Sequence, residues 1–178
     1  MRTERLANGH RWLRLADPAW ADPLDPDFAR ATGGRWNPPG SYPTLYLNED
    51  VVTARINLQL FLAGKPYGPE DLAPARAPVL VGARLPRDQV VADVHSAAGV
   101  AAAGLPAGYP TDAAGALVGH DVCQPVGARA KADGLRGVRC RSARAPYGAG
   151  RELAWFPATE RSRARPDGVT PFDEWFWA

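Results

Sequence analysis

The 178-residue sequence holds only two cysteines, one methionine and three histidines. Cys123 and Cys140 stand 17 residues apart, with no second pair and no Cys-x-x-Cys. That spacing carries no zinc pattern, and two buried free thiols are expected rather than a disulfide. No apolar run reaches the roughly 18 residues of a membrane span. Residues 1–10 are charged and lack an apolar centre, so they do not read as a secretory signal. By elimination the expectation is a cytoplasmic protein with no membrane contact. The net charge is only +2, and no basic stretch is long or interleaved with aromatics. Direct nucleic-acid binding is therefore not expected, and Arg161, Arg163 and Arg165 read as a solvated loop. There is no internal repeat. There is also no Gly-x-Ser-x-Gly elbow, and His95 and His120, the nearest bases for Ser142, have no evident partner, so a serine hydrolase is a poor reading.

Gly and Pro, by contrast, number 18 each, and proline is at about twice its usual share. Trp, Leu and Val are spread along the whole chain, so this reads as many turns and short elements within one domain spanning residues 1–178. Its core is expected at about 10–157, with the tail 158–178 docked on the body through Trp175, Phe176 and Trp177. Asp-Pro pairs at 17–18, 22–23 and 25–26 predict a short strand followed by irregular structure over 1–30. Residues 33–40 are a loop by composition, and 44–47 a short strand. The strongest helix is predicted at 49–63, with Asn48 as cap and Glu49 and Asp50 as first-turn charges. Val52, Ile56, Leu60 and Ala63 would form its apolar face, with Gly64 and Pro66 ending it. Strands are expected at 78–84 and 89–94, one or two short helices in 96–118, and a helix over 119–132 interrupted at Pro125. A turn into a strand is expected over 134–141, with Val138 and Cys140 on one face, and another strand over 152–156. Without regular strand–helix alternation, these elements predict a mixed, strongly bent sheet rather than a doubly wound parallel one.

Three residues stand out chemically. Arg35 lies between Gly33-Gly34 and a Trp-Asn-Pro-Pro-Gly turn. A guanidinium on a stiff loop can bind two oxygens of a phosphate or pyrophosphate, or it can bond loop carbonyls. Tyr46 alternates with Leu45 and Leu47 and so faces the other way. It is either a half-buried strand tyrosine or a ring for stacking on a base or nicotinamide. Ser142 directly follows a strand, beside Arg141 and Arg144, where it either satisfies a turn or serves a site.

The segment Gly33-Gly34-Arg35-Trp36-Asn37-Pro38-Pro39-Gly40-Ser41-Tyr42-Pro43-Thr44-Leu45-Tyr46-Leu47 resembles the opening signature of the RES domain, a family named for an Arg, a Glu and a Ser. Residues 134–144, through Ser142, are similar to its Ser segment. The resemblance implies an α+β, ADP-ribosyltransferase-like domain with a mixed, bent sheet flanked by helices. It also implies a toxin of a bacterial toxin–antitoxin pair that depletes NAD by hydrolysis or phosphorolysis, partnered by an Xre-type helix-turn-helix antitoxin. NAD would be substrate rather than a permanently bound cofactor, and a homo-oligomer stays open. Arg35, Tyr46 and Ser142 would correspond to the family's Arg, active-site Tyr and Ser, converging on one cleft.

The family Glu has no counterpart, because its position, 11 residues beyond the Tyr, is Asn57. Splitting the nicotinamide–ribose bond creates an oxocarbenium-like ribose that a carboxylate stabilises. Losing such a partner costs on the order of 100–1000-fold in rate. Asn57 is expected to face the same cleft, and Glu152 is the first substitute acid to consider. Three readings follow: an NAD glycohydrolase or phosphorylase, a nucleotide-binding protein with weakened or lost catalysis, and an ADP-ribosyltransferase acting on a protein or small molecule.

Overall fold

The computed structural model describes residues 1–145, 148–159 and 162–178. Its strands are β1 (Thr3–Arg5), β2 (Arg11–Ala16), β3 (Leu45–Asn48), β4 (Val79–Arg84), β5 (Val90–Val94), β6 (Gly137–Arg141), β7 (Arg151–Trp155) and β8 (Arg165–Thr170). The α-helices are α1 (Asp27–Thr32), α2 (Val51–Leu62), α3 (Ala97–Ala103), α4 (His120–Ala132) and α5 (Phe172–Phe176). The strands form one eight-stranded sheet in the order β1-β5-β6-β7-β3-β2-β4-β8. Only β5 and β6 run parallel; every other neighbouring pair is antiparallel. The fold is thus α+β with a mixed sheet, as the irregular spacing of elements predicts.

Side-chain alternation divides the sheet into two faces. Leu45, Leu47, Leu153 and Trp155 point to one, where they pack with Trp12, Val81, Ala83 and Val91. The other face carries two groups of helices. At the β5-β6-β7 end, Val138, Cys140 and Ala154 pack with Val100 and Ala103 of α3 and Cys123, Val126 and Ala130 of α4. At the β2-β4 end, Leu13 and Leu80 pack with Ala54, Leu58 and Leu62 of α2 and with Phe172, Trp175 and Phe176 of α5. Register places Asn48 opposite both Leu13 and Glu152, and Glu152 opposite Cys140. Asn48 and Glu152 therefore lie on the helix-bearing face, in the middle of the sheet, between the two groups.

Several expectations need correction. The buried stripe of α2 is Thr53, Ala54, Leu58 and Leu62, while Val52 and Leu60 are exposed. Ala63 is exposed too, and Ile56 is half-buried. The helix offers two apolar stripes, and the aromatics of α5 with Leu13 and Leu80 decide which one packs. The cap of α2 is Asp50, whose side chain accepts from the Thr53 amide at 2.7 Å; Asn48 is the last residue of β3. Glu49 is no first-turn charge, because it holds Arg139 in a bidentate pair at 2.6 and 3.0 Å. α4 runs unbroken through Pro125. The region 1–30 contains α1, whose start Pro26 tolerates because the first helical amides have no intrahelical partner anyway.

β8 was not visible in the sequence, since Pro166, Asp167 and Gly168 disfavour strands. It forms as an exposed edge, where proline is tolerated, and Asp167 pairs there with Arg84 at 2.7 Å. Arg165 therefore belongs to a strand, Arg163 is an exposed partner of Asp22 at 3.6 Å, and Arg161 lies outside the described residues. Cys123 and Cys140 are both buried and free. No helix among the described residues is long and apolar enough to cross a membrane.

Candidate active site

The crevice between the two helical groups is a cavity of about 870 Å3. Asp17, Arg35, Asn57, Arg76, His120, Arg144 and Glu152 supply its polar lining. A neighbouring cavity of about 320 Å3 is bounded by Arg35, Tyr46 and Glu152.

The loop carrying Arg35 is held from several sides. Gly34 and Asn37 close a turn, with the Gly34 amide donating to the Asn37 carbonyl at 2.9 Å. Asn37 is fully buried and its Nδ2 donates to the Ala29 carbonyl at 2.6 Å. Gln124 Nε2, from α4, donates to the Gly34 carbonyl at 3.0 Å. The Tyr46 hydroxyl accepts from the Trp36 amide at 2.9 Å and donates to Asn37 Oδ1 at 2.8 Å. Burial pushes the Tyr46 phenol well above its ordinary pKa, so it stays a neutral donor. Gly34 is required here, because a Cβ would collide with the Tyr46 ring and hydroxyl. Gly127 likewise lets α4 approach, since a Cβ there would overlap the Trp36 carbonyl.

Arg35 fits both of its sequence readings. Its Nη1 donates to the Val118 carbonyl at 2.6 Å and reaches Cys123 Sγ at 3.7 Å. Its Nε and Nη2 have no partner among the described residues, so one edge of the fork anchors and the other is open to an anion. Burial pushes the Cys123 thiol up, with Arg35 partly opposing it. His120, at the cavity wall, is held below its ordinary pKa by burial and by the charge of Arg35.

Behind these lies a hydrogen-bonded cluster. Asn57 Nδ2 donates to Glu152 Oε1 at 2.8 Å and to Asn48 Oδ1 at 2.7 Å. Ser142, fully buried, donates from Oγ to the same Glu152 Oε1 at 2.7 Å. Its Oγ also accepts from the Arg144 and Ala145 amides, both at 3.2 Å. Ser142 thus closes a turn and orients a carboxylate at once. Glu152 Oε2 has no donor among the described residues. Arg35, Asn57 and Glu152 thus line one cavity, Tyr46 borders the adjoining one, and Ser142, expected to face the cleft, is buried behind Glu152 and lines neither. Asn57 reaches this point because it follows Thr53 and Ala54 on the packed face of α2, not because it neighbours Ile56.

Sequence reasoning missed the parts played by Asn37, Asn48 and Gln124. Asn37 stands inside the quoted loop signature, so its type and place were visible. Asn48 was assigned to a cap, and nothing marked Gln124. Away from the cavity, Glu4, Asp93 and His95 cluster, but Arg139 and Arg2 already neutralise them at 2.9 and 3.1 Å.

The RES domain family model matches residues 4–173, and the chain belongs to the RES domain family. No curated protein matches the sequence. Among solved structures, the chain is similar to one in the crystal structure of the M. tuberculosis MbcT-MbcA toxin–antitoxin complex. The TM-score is 0.73 at 20% identity, over 99% of this chain and 92% of that one. The two share a fold.

Proposed function

We propose that this chain binds NAD in the 870 Å3 cavity and cleaves its nicotinamide–ribose bond, as the toxin of a toxin–antitoxin pair. The observation that carries the reading is Glu152, whose Oε1 is fixed by Asn57 and Ser142 while its Oε2 has no donor among the described residues. A carboxylate held this way needs no reorganisation when positive charge develops beside it.

The open edge of Arg35 grips the pyrophosphate. The C1′–N bond breaks, and its electron pair leaves with neutral nicotinamide. Glu152 stabilises the oxocarbenium-like ribose and accepts a hydrogen bond from a ribose hydroxyl. Water or phosphate then adds at C1′ and gives up a proton, yielding ADP-ribose or its 1-phosphate. Asn57, Ser142 and Tyr46 are positioning residues. The first two orient Glu152, and the third braces the Arg35 loop, its ring bordering the nicotinamide end. The carboxylate missing at position 57 is supplied from β7.

Family membership and the fold shared with a toxin–antitoxin complex support the toxin role, and a helix-turn-helix antitoxin of Xre type is the proposed partner. The test is nicotinamide release from NAD by purified protein, with and without phosphate. Release is expected, and Arg35→Ala should abolish both binding and release. NAD binding without release would make the chain a nucleotide-binding protein. Transfer of labelled ADP-ribose to a target would make it a transferase.

A further inference from the structure

Three exposed aromatics, Trp20, Phe28 and Phe61, line the large cavity, and the first two lie together. Trp20 and Phe28 are 43% and 60% exposed, yet lie against each other with ring centroids 6.0 Å apart. The Arg14 guanidinium sits 5.4 Å from the Trp20 ring centroid and is tied by Nη1 to the Asp25 carbonyl at 3.2 Å. This cation–π contact holds the indole in place. Phe28 stands in the first turn of α1, the helix that precedes the glycines leading to Arg35. It borders the 870 Å3 cavity, the 320 Å3 cavity beside Tyr46, and a third of about 320 Å3 that it shares with Arg14, Trp20, Asp22 and Asp25. Large apolar rings left in water are unfavourable, and pre-positioned rings at a cavity rim are the usual platform for a planar base.

We infer that Trp20 and Phe28 form the seat of the adenine base of the dinucleotide. The inference rests on the NAD reading and extends it, since it places the half of the substrate that does not react. Three features commit the platform to that occupant. It is continuous with the cavity holding Arg35, Asn57 and Glu152. The Arg35 guanidinium lines that same cavity, where the pyrophosphate joining the two halves would lie. The cavity volume falls within the range that encloses a whole small ligand.

The probe is ADP-ribose, which carries the base and lacks nicotinamide, compared with ribose 5-pyrophosphate, which keeps the pyrophosphate and lacks adenosine. Affinities are read by calorimetry on wild type, Trp20→Ala, Phe28→Ala, the double variant and Phe28→Trp. Wild type should prefer ADP-ribose by at least tenfold. Each alanine should weaken ADP-ribose binding about five- to 100-fold, the span of one stacking contact. The double variant should lose the preference, and Phe28→Trp should retain it. The inference is overturned by unchanged ADP-ribose affinity in the double variant, by equal weakening of both ligands, or by no preference in wild type. A wild-type protein that shows the base preference but releases no nicotinamide would remove the cleavage reading and leave the base seat standing.

Discussion

Replacing Asn57 with glutamate brings a second carboxylate to within hydrogen-bonding distance of the first. In the wild-type chain Asn57 Nδ2 spans Asn48 Oδ1 at 2.7 Å and Glu152 Oε1 at 2.8 Å. Asn57→Glu removes that donor and leaves only acceptors facing one another. Two like charges about 4 Å apart cost about 4 kcal/mol at an effective dielectric of 20. Both side chains are half-buried and can swing apart, so about 2–3 kcal/mol is the expected loss, hydrogen bonds included. At this chain length that is a fall in Tm of roughly 5–10 °C near neutral pH. The paired carboxyls hold a proton more tightly than either alone. The deficit should therefore be present at neutral pH and shrink as pH falls toward about 5. Restoring the family carboxylate on α2 should also fail to raise turnover if, as proposed, Glu152 already serves that position from β7. The assay pairs thermal denaturation at two pH values with nicotinamide release. Adding Glu152→Gln to Asn57→Glu, which moves the carboxylate back to the helix, should recover most of the Tm. A single Asn57→Glu variant as stable as wild type and faster on NAD would refute the reasoning.

Glu152→Gln keeps an oxygen for Asn57 and Ser142 but removes the charge. It should lower kcat about 100- to 1000-fold with little change in KM, and undiminished kcat would exclude Glu152 from catalysis. Gly34→Ala drives a methyl group into the Tyr46 ring. A loss of about 1–3 kcal/mol, read as a lower Tm together with weaker NAD binding, is expected, whereas an unperturbed variant would show that the Arg35 loop is not held as described. Asp93 is opposed by burial, but hydrogen bonds from Ser96 and His95 outweigh it and hold the carboxyl below its ordinary pKa. Its stabilising contribution is present above the usual carboxylate range and is lost as pH falls through the lowered value. Asp93→Asn should therefore be less stable than wild type at pH 7 and converge with it below about pH 4 in acid-unfolding curves.

The strands β3, β4, β5, β6 and β7 were legible because each is a short apolar run bounded by Gly, Pro or charge. β8 was not, since its pairing comes from Arg11 and Arg84 reaching Asp167 across the sheet, a contact 156 and 83 residues away in the chain. The packed face of α2 was misread for a related reason: Val52–Ile56–Leu60 and Ala54–Leu58–Leu62 are both apolar, and only α5 with Leu13 and Leu80 of the sheet separates them. The two family-like segments put Arg35 at the crevice and Ser142 next to it, where Ser142 meets Glu152 rather than Arg35. The bond from Glu152 to Asn57 was not foreseeable, because it depends on the cross-strand register that sets Glu152 opposite Asn48. Gln124, which steadies the Arg35 loop from α4, carries no sequence signal at all.

The position of β7 bears on when the crevice is completed during synthesis. β7 lies in the middle of the sheet, hydrogen-bonded to β3 on one side and β6 on the other, yet it is seventh of the eight strands to leave the ribosome. Until residues 151–155 emerge, β3 and β6 have no shared strand neighbour, and side-chain ties such as Arg139 to Glu49 and Gln124 to Gly34 must span the gap. The strand that closes the sheet also delivers Glu152. Architecture and acid therefore arrive in the same few seconds of synthesis, and a ribosome stalled earlier releases a fragment with the Arg35 loop but no carboxylate to act with it. The proposed activity therefore depends on a strand that follows six others in chain order.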